Sequence, residues 1–335
     1  MKILFDCILP FALTHGGMQT QIEQTRAALQ SIGLAVEPVR WWDDRQAGDI
    51  IHYFGRMPGM QAELARQKGI KVVMAELLGS TGSRSRGQLW LQHVVTRIMQ
   101  RTLPPARLAA LNWKSYRLAD ALIALTPWEG HLMSYIFGAP PEKVHVVPNG
   151  VEGAFLSSPR VERGPWLVCT ATIAKVKRVV EVAEAAIQAQ TPLWIIGKAY
   201  ADTDPYAQQF FALARKHPRL VRFEGPVQDR EELARIYRAA RGFIMLSAWE
   251  SLSLSALEAA ACECPLLLSD LPWARSTFQA EASYCPVAAP ARMSRHLRSF
   301  YDQAPTLRPP RKPLTWPDVA QRLKQIYASV LGRTG

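Results

Sequence analysis

Short apolar runs alternate along the chain with stretches whose apolar residues recur at helical spacing. Residues 3–9 (ILFDCIL) read as a buried strand, and 18–31 carry Ile22 and Leu29 among small residues at helical intervals. DIIHYF (49–54), IKVVMA (70–75), ALIAL (121–125) and VHVV (144–147) are further short strands, with a helix predicted over 127–137. A second set follows: strands at 165–170 (PWLVCT), 193–196 (LWII), 220–223, 242–247 (GFIMLS) and 265–268, separated by helices at 177–190, 205–217, 229–240 and 254–262. Strands alternating with helices imply parallel sheets covered on both faces. The rhythm runs twice, on either side of the turn-rich Pro148-Asn149-Gly150 and Ser157-Ser158-Pro159. The expected fold class is therefore α/β, with two doubly wound, Rossmann-like domains facing across a cleft. Four prolines in 304–315 (APTLRPPRKPLT) forbid a regular element there, and a final amphipathic helix is predicted over 316–331.

The chain has 335 residues, 48% hydrophobic and 20% charged, which excludes disorder and a disulfide-stapled miniprotein. Forty Lys+Arg against 28 Asp+Glu give a net charge of +12. The excess is spread, +5 over 1–150, +3 over 151–300 and +4 over 301–335, so it is no basic tail. A basic surface suits nucleic acid, anionic lipid or a phosphorylated substrate. Cys7, Cys169, Cys262, Cys264 and Cys285 lie mostly in apolar runs and read as buried thiols of a reducing compartment, and the C-x-C of 262–264 lacks zinc spacing. Asp6 and Pro10 interrupt the apolar N-terminus, so no signal peptide is expected. No run nears the roughly 20 apolar residues of a membrane span, and a cytoplasmic protein is expected.

Three strand-to-helix turns carry candidate chemistry. In Ser247-Ala-Trp-Glu250-Ser-Leu-Ser-Leu-Ser-Ala-Leu-Glu258, two glutamates sit in an E-x7-E spacing across such a turn. Glu250 falls at the carboxyl end of a strand, where doubly wound sheets bind ligands. The following helix start offers free N–H groups and a positive dipole end to a phosphate. Glu258, one turn into the helix, suits a ribose diol, although the same residues also fit a capped surface helix. The second turn, 170–178, brings Lys175, Lys177 and Arg178 after a strand, as diphosphate ligands or simply solvated cations. The third, Thr14-His15-Gly16-Gly17-Met18, lets backbone approach a ligand but is not G-x-G-x-x-G. Asp202-Thr-Asp204 spells D-x-D, yet it precedes Pro205 where an aspartate caps a helix, so no metal is expected.

Taken together, these segments resemble the retaining GT-B glycosyltransferases of family 4, the group 1 glycosyl transferases. The resemblance runs through 119–155 with its Pro-Asn-Gly-Val, 171–186, 223–251, the E-x7-E of 250–270, and 316–327. It implies an N-terminal acceptor-side domain over 1–155, a nucleotide-sugar domain over 156–303, and a crossover and terminal helix over 304–335 returning to the first domain. It implies that Glu250 contacts the donor sugar and Glu258 the ribose. Backbone at Leu252, Ser253 and Leu254, with Lys177, would hold the diphosphate. The chain near Val227 would border the base, and Gly16 and Gly17 would face the phosphates. His52 matches a cleft-facing histidine position, although a structural strand-end histidine fits it too. The family's Gly-Arg before its Lys is replaced by Ala171 and Thr172, so Lys175 or Arg178 would supply the missing charge. Glu76 stands where a histidine often ends the fourth strand.

The implied reaction is metal-independent transfer from a UDP- or GDP-sugar to a hydroxyl of a glycan or lipid-linked acceptor, with no cofactor beyond that co-substrate. A GT-B epimerase or phosphorylase is the alternative, and a basic nucleic-acid-binding protein is the rival from another class. Against the latter, the cations lack interleaved stacking platforms, and no nucleic-acid partner is expected. Residues 77–119 contain seven Lys/Arg and no Asp or Glu, interspersed with apolar residues. That composition fits a basic amphipathic helix on an anionic membrane, or else a helix whose apolar face joins the core.

Overall fold

The computed structural model describes residues 1–11, 16–157, 161–287 and 290–332. Two compact units divide the chain, residues 1–150 with 314–335, and residues 151–313. Residues 151–155 and 304–313 thus fold with the second unit.

The first unit is built on β1 (Lys2–Cys7), β2 (Ala35–Pro38), β3 (Ile50–Phe54), β4 (Lys71–Ala75), β5 (Ala121–Ala124) and β6 (Val144–Val146). They pair in the order β2-β1-β3-β4-β5-β6, with Ile3 opposite Ile50 and Val73 opposite Ala121. Every pairing is parallel, so both faces must be covered, and the central strands are mostly apolar. The helix Pro127–Phe137 shows how local sequence sets the ends: Thr126 accepts from the Glu129 amide, Pro127 supplies the first-turn φ, and Gly138 at φ 72° stops it. The terminal helix Trp316–Val330 starts at a reciprocal cap between Thr315 and Asp318 and packs on the helix Gly17–Ser31. Gly150, in the Pro-Asn-Gly turn, lies so close to this helix start that a Cβ would stand 2.5 Å from the Trp316 nitrogen.

The second unit contains β7 (Leu167–Thr170), β8 (Leu193–Ile196), β9 (Val221–Phe223), β10 (Gly242–Met245), β11 (Leu266–Ser269) and β12 (Ser283–Cys285). Their order is β12-β11-β10-β7-β8-β9, again parallel. The order reverses between β7 and β10, and in open α/β sheets that point opens a crevice at the carboxyl ends of the strands.

β2 and β12 are absent from the sequence expectation. They are edge strands of four and three residues, and each has a single buried position, too short for a readable period. Residues 304–306, expected to be irregular, form a 3-10 turn that has Pro305 in its first turn, where a missing N–H is harmless. All five cysteines are free thiols, Cys7 half-buried and the others buried. Among the described residues no helix is long and apolar enough to cross a membrane.

Candidate active site

The loops after β7 and β10 are neighbours because those strands pair, Phe243 opposite Val168. The Ala248 amide donates to the Val176 carbonyl at 2.8 Å, which pins one loop to the other. The Lys175–Lys177 turn then ends in Arg178, left-handed at φ 55°, which opens the helix Val179–Ala189. This geometry sets the Lys177 ammonium against Glu250, and the two form an ion pair. The Ser247 hydroxyl donates to the same Glu250 oxygen, Oε1, at 2.8 Å. Ser247 is fully buried, and its carbonyl accepts from Ser269 on β11 at 2.6 Å.

Three residues on, Ser253 caps the helix Leu254–Ala261, its hydroxyl accepting from the Ala256 amide at 3.2 Å. Leu252 and Ser253 are buried, and Leu254 opens the helix. Its first amides carry the positive end of the helix dipole, a seat for an anion beside Lys177.

Glu258 lies one turn deeper and is buried. Arg230, at the start of the helix Arg230–Ala239, bonds Glu258 through one nitrogen and Glu152 through another at 2.8 Å, while its plane lies over Phe155. Burial pushes the Glu258 carboxyl up to about 7 despite the opposing pull of Arg230. In its ionised form this carboxylate can accept hydrogen bonds from the hydroxyls of a diol. Val227 is half-buried in the loop before that helix. Gly225 in the same loop is left-handed, and its carbonyl accepts from Gly197 at 3.1 Å.

The other expected residues lie elsewhere or face other ways. Lys175 is exposed beside the pair. Arg178 turns inward: it is buried, and its guanidinium donates to the Val287 carbonyl at 3.4 Å. Gly16 caps the helix Gly17–Ser31 with φ 132° and open space where a Cβ would be, and Gly17 is that helix's first residue. Thr14 and His15 of this turn lie outside the described residues.

His52 takes the second of its two readings, that of a structural strand histidine. It is 1% exposed, stacked on Phe54, and its Nδ1 lies 2.5 Å from the Tyr327 hydroxyl of the terminal helix. Burial holds its pKa down to about 3, so it stays neutral as a core histidine. Glu76 follows β4 and is gripped by Arg56, whose nitrogens bond both carboxylate oxygens at 2.8–3.1 Å, and by the Tyr116 hydroxyl. Asp204 caps the helix Pro205–Lys216 by accepting from the Tyr206 amide.

Sequence reasoning missed Ser247, Arg230, Glu152, Arg56 and Tyr116. Ser247 meets Glu250 only three residues along, but the others meet their partners through the fold, and no local pattern marks an arginine at a helix start as the partner of a glutamate 28 positions away.

Two family models match, glycosyl transferases group 1 over residues 164–303 and the glycosyl transferase 4-like domain over 23–150. A D-inositol 3-phosphate glycosyltransferase from Jonesia denitrificans is 33% identical over 177 residues, 45% of this chain. The match spans only 41% of that relative's length. Among solved structures, sucrose-phosphate synthase from Thermosynechococcus elongatus superposes with a TM-score of 0.70 at 16% identity, covering 99% of this chain and 100% of the other. Anabaena HepE in complex with UDP gives 0.64 at 13% identity, covering 98% and 100%. Two six-stranded parallel sheets, the E-x7-E helix of the second unit and both family matches lead to one conclusion: the chain belongs to the group 1 glycosyltransferases and has the GT-B fold.

Proposed function

We propose that the protein transfers a sugar, with retention and without a metal, from a nucleoside-diphosphate sugar to a hydroxyl of a glycan or lipid-linked acceptor. The observation that carries the reading is the Lys177–Glu250 pair beside the capped helix that also bears Glu258. As the anomeric bond breaks, negative charge grows on the departing β-phosphate. Lys177 and the amides at the start of Leu254–Ala261 meet that charge without a metal, an electrostatic contribution commonly worth several kcal/mol. Glu250 then receives hydroxyls of the donor sugar, while Glu258 holds the ribose and the chain at Val227 borders the base. No carboxylate pair of the retaining-hydrolase kind is invoked, so retention implies same-face attack by the acceptor hydroxyl.

UDP is the favoured nucleotide, because HepE, which shares the fold, is a UDP complex. The relative's name adds phosphorylated polyols to the acceptors worth testing. The experiment is a panel of UDP- and GDP-sugars with such acceptors, followed by NMR of the new anomeric centre. Expected are nucleotide release, an anomer of the donor's own configuration, and full turnover in excess EDTA. Abolition by EDTA with rescue by manganese, or an inverted product, overturns the reading. Epimerised free sugar or phosphorolysis without transfer would instead assign the alternative GT-B chemistries.

A further inference from the structure

One face of the first unit is used by none of the chemistry above. The helix Arg86–Thr102 begins at a reciprocal cap between Ser85 and Gln88, yet only Leu89 and Thr96 of its side chains are buried. At 3.6 residues per turn, Leu91, Val95 and Ile98 form a stripe on the opposite side, and they are 56%, 43% and 54% exposed. Leu89 joins the core, but the stripe Leu91, Val95 and Ile98 does not. Along the flank of the stripe runs a cavity of about 830 Å³, lined by Arg97, Arg101 and Arg117 together with apolar Met60, Leu108 and Trp113. Among the described residues none of these three guanidinium groups has an acidic partner, and Arg97 reaches only Gln100, at 3.4 Å.

A soluble phosphate makes no use of the apolar stripe, and an apolar peptide makes no use of three uncompensated cations. A bilayer rich in anionic phospholipid offers both, apolar depth for the stripe and phosphates for the cavity. We propose that this face docks on an anionic membrane, with Leu91, Val95 and Ile98 in the interface and lipid phosphates held by Arg97, Arg101 and Arg117. The docking is independent of the donor site, although it would bring a lipid-linked acceptor to the enzyme.

The test is co-sedimentation of the full chain with vesicles of phosphatidylcholine alone or mixed with phosphatidylglycerol, with no donor present, so that failure here leaves the transfer reaction untouched. Binding is expected only with phosphatidylglycerol, and it weakens as salt rises. Replacing Arg97 and Arg101 by Ser lowers the partition roughly tenfold or more. Leu91→Ser with Ile98→Ser lowers it as well, while UDP binding and the melting midpoint stay as in the wild type. Arg101→Ser alone, at an exposed position, gives a smaller loss in the same direction and guards against misfolding of the double variant. The proposal is overturned if vesicles are ignored at low salt, if phosphatidylcholine alone binds as well, or if the variants bind like the wild type. A dimer broken by Ile98→Ser, or saturable binding of inorganic phosphate without vesicle binding, overturns it too and assigns the face to a second copy or to a soluble anion.

Discussion

Each unit places a glutamate beyond the carboxyl ends of its strands and neutralises it with one cation, and the two pairs are equally shielded. The side chains of Arg56 and Glu76 are 23% and 12% exposed, and so are those of Lys177 and Glu250. What differs is how much bonding capacity remains. Arg56 engages both oxygens of Glu76, lies 4.5 Å over the Phe137 ring, and shares Tyr116 with its partner. Its planar fork is fully committed, as arginine favours in a fixed pair. Lys177 is a point charge on one oxygen of Glu250, the same oxygen that Ser247 bonds. Among the described residues Oε2 of Glu250 has no hydrogen-bond partner, and two of the three ammonium protons remain to be given. Exposure alone does not distinguish the two pairs; unspent donors and acceptors do.

The sharpest way to break that comparison is to truncate both cations. Lys177→Ala is expected to lower kcat by about two to three orders of magnitude with the melting midpoint nearly unchanged, measured by steady-state transfer and thermal unfolding. Near-normal turnover in that variant would erase the distinction. Arg56→Ala should do the reverse, costing about 2–3 kcal/mol of stability because it leaves a shielded carboxylate unpaired. The rate per folded molecule should hold, and urea unfolding paired with active-site titration reads both.

Glu258 sharpens the comparison, because its carboxylate is paired with Arg230 and is also the group proposed to hold the ribose. Its pKa, pushed up to about 7 by burial, means that the folded state keeps a proton which the unfolded chain releases near its ordinary value. Stability from this group is therefore full below about 4.5 and lost as pH rises to about 7. Glu258→Gln should abolish that slope and make the protein about 1–2 kcal/mol more stable at pH 8. It should also weaken UDP binding by about 1–3 kcal/mol. In the wild type, UDP affinity should fall as pH drops through about 7, because the protonated carboxyl loses an acceptor; calorimetry across that range tests it. The smallest effect is Arg56→Lys, which keeps the charge and loses the fork and the stacking, about 1 kcal/mol by thermal unfolding.

Much of this was legible in the chain. Runs such as LWII and ALIAL are apolar on both faces, which only a strand covered on both sides permits, and β8 and β5 are such strands. Caps at Thr126, Ser253 and Thr315 are written locally, so their helices start as expected. Side-chain direction was not legible in the same way. Arg178 reads as one of three cations in a turn, and only the structure shows its side chain buried and bonded to the Val287 carbonyl. His52 fitted either a cleft-facing or a structural strand-end position, and the contact with Tyr327, 275 residues away, puts it in the core.

The sequence by itself determined two parallel α/β units, the helix starts, and the two glutamates that bracket a strand-to-helix turn. These follow from periods of two to four residues and from capping bonds that span three. Only the tertiary structure decided that Lys177 faces Glu250, that Arg230 holds Glu258, and that the stripe Leu91, Val95 and Ile98 stays exposed. Those outcomes depend on which strands lie side by side and on what covers each helix, relations between residues tens of positions apart that leave no local trace.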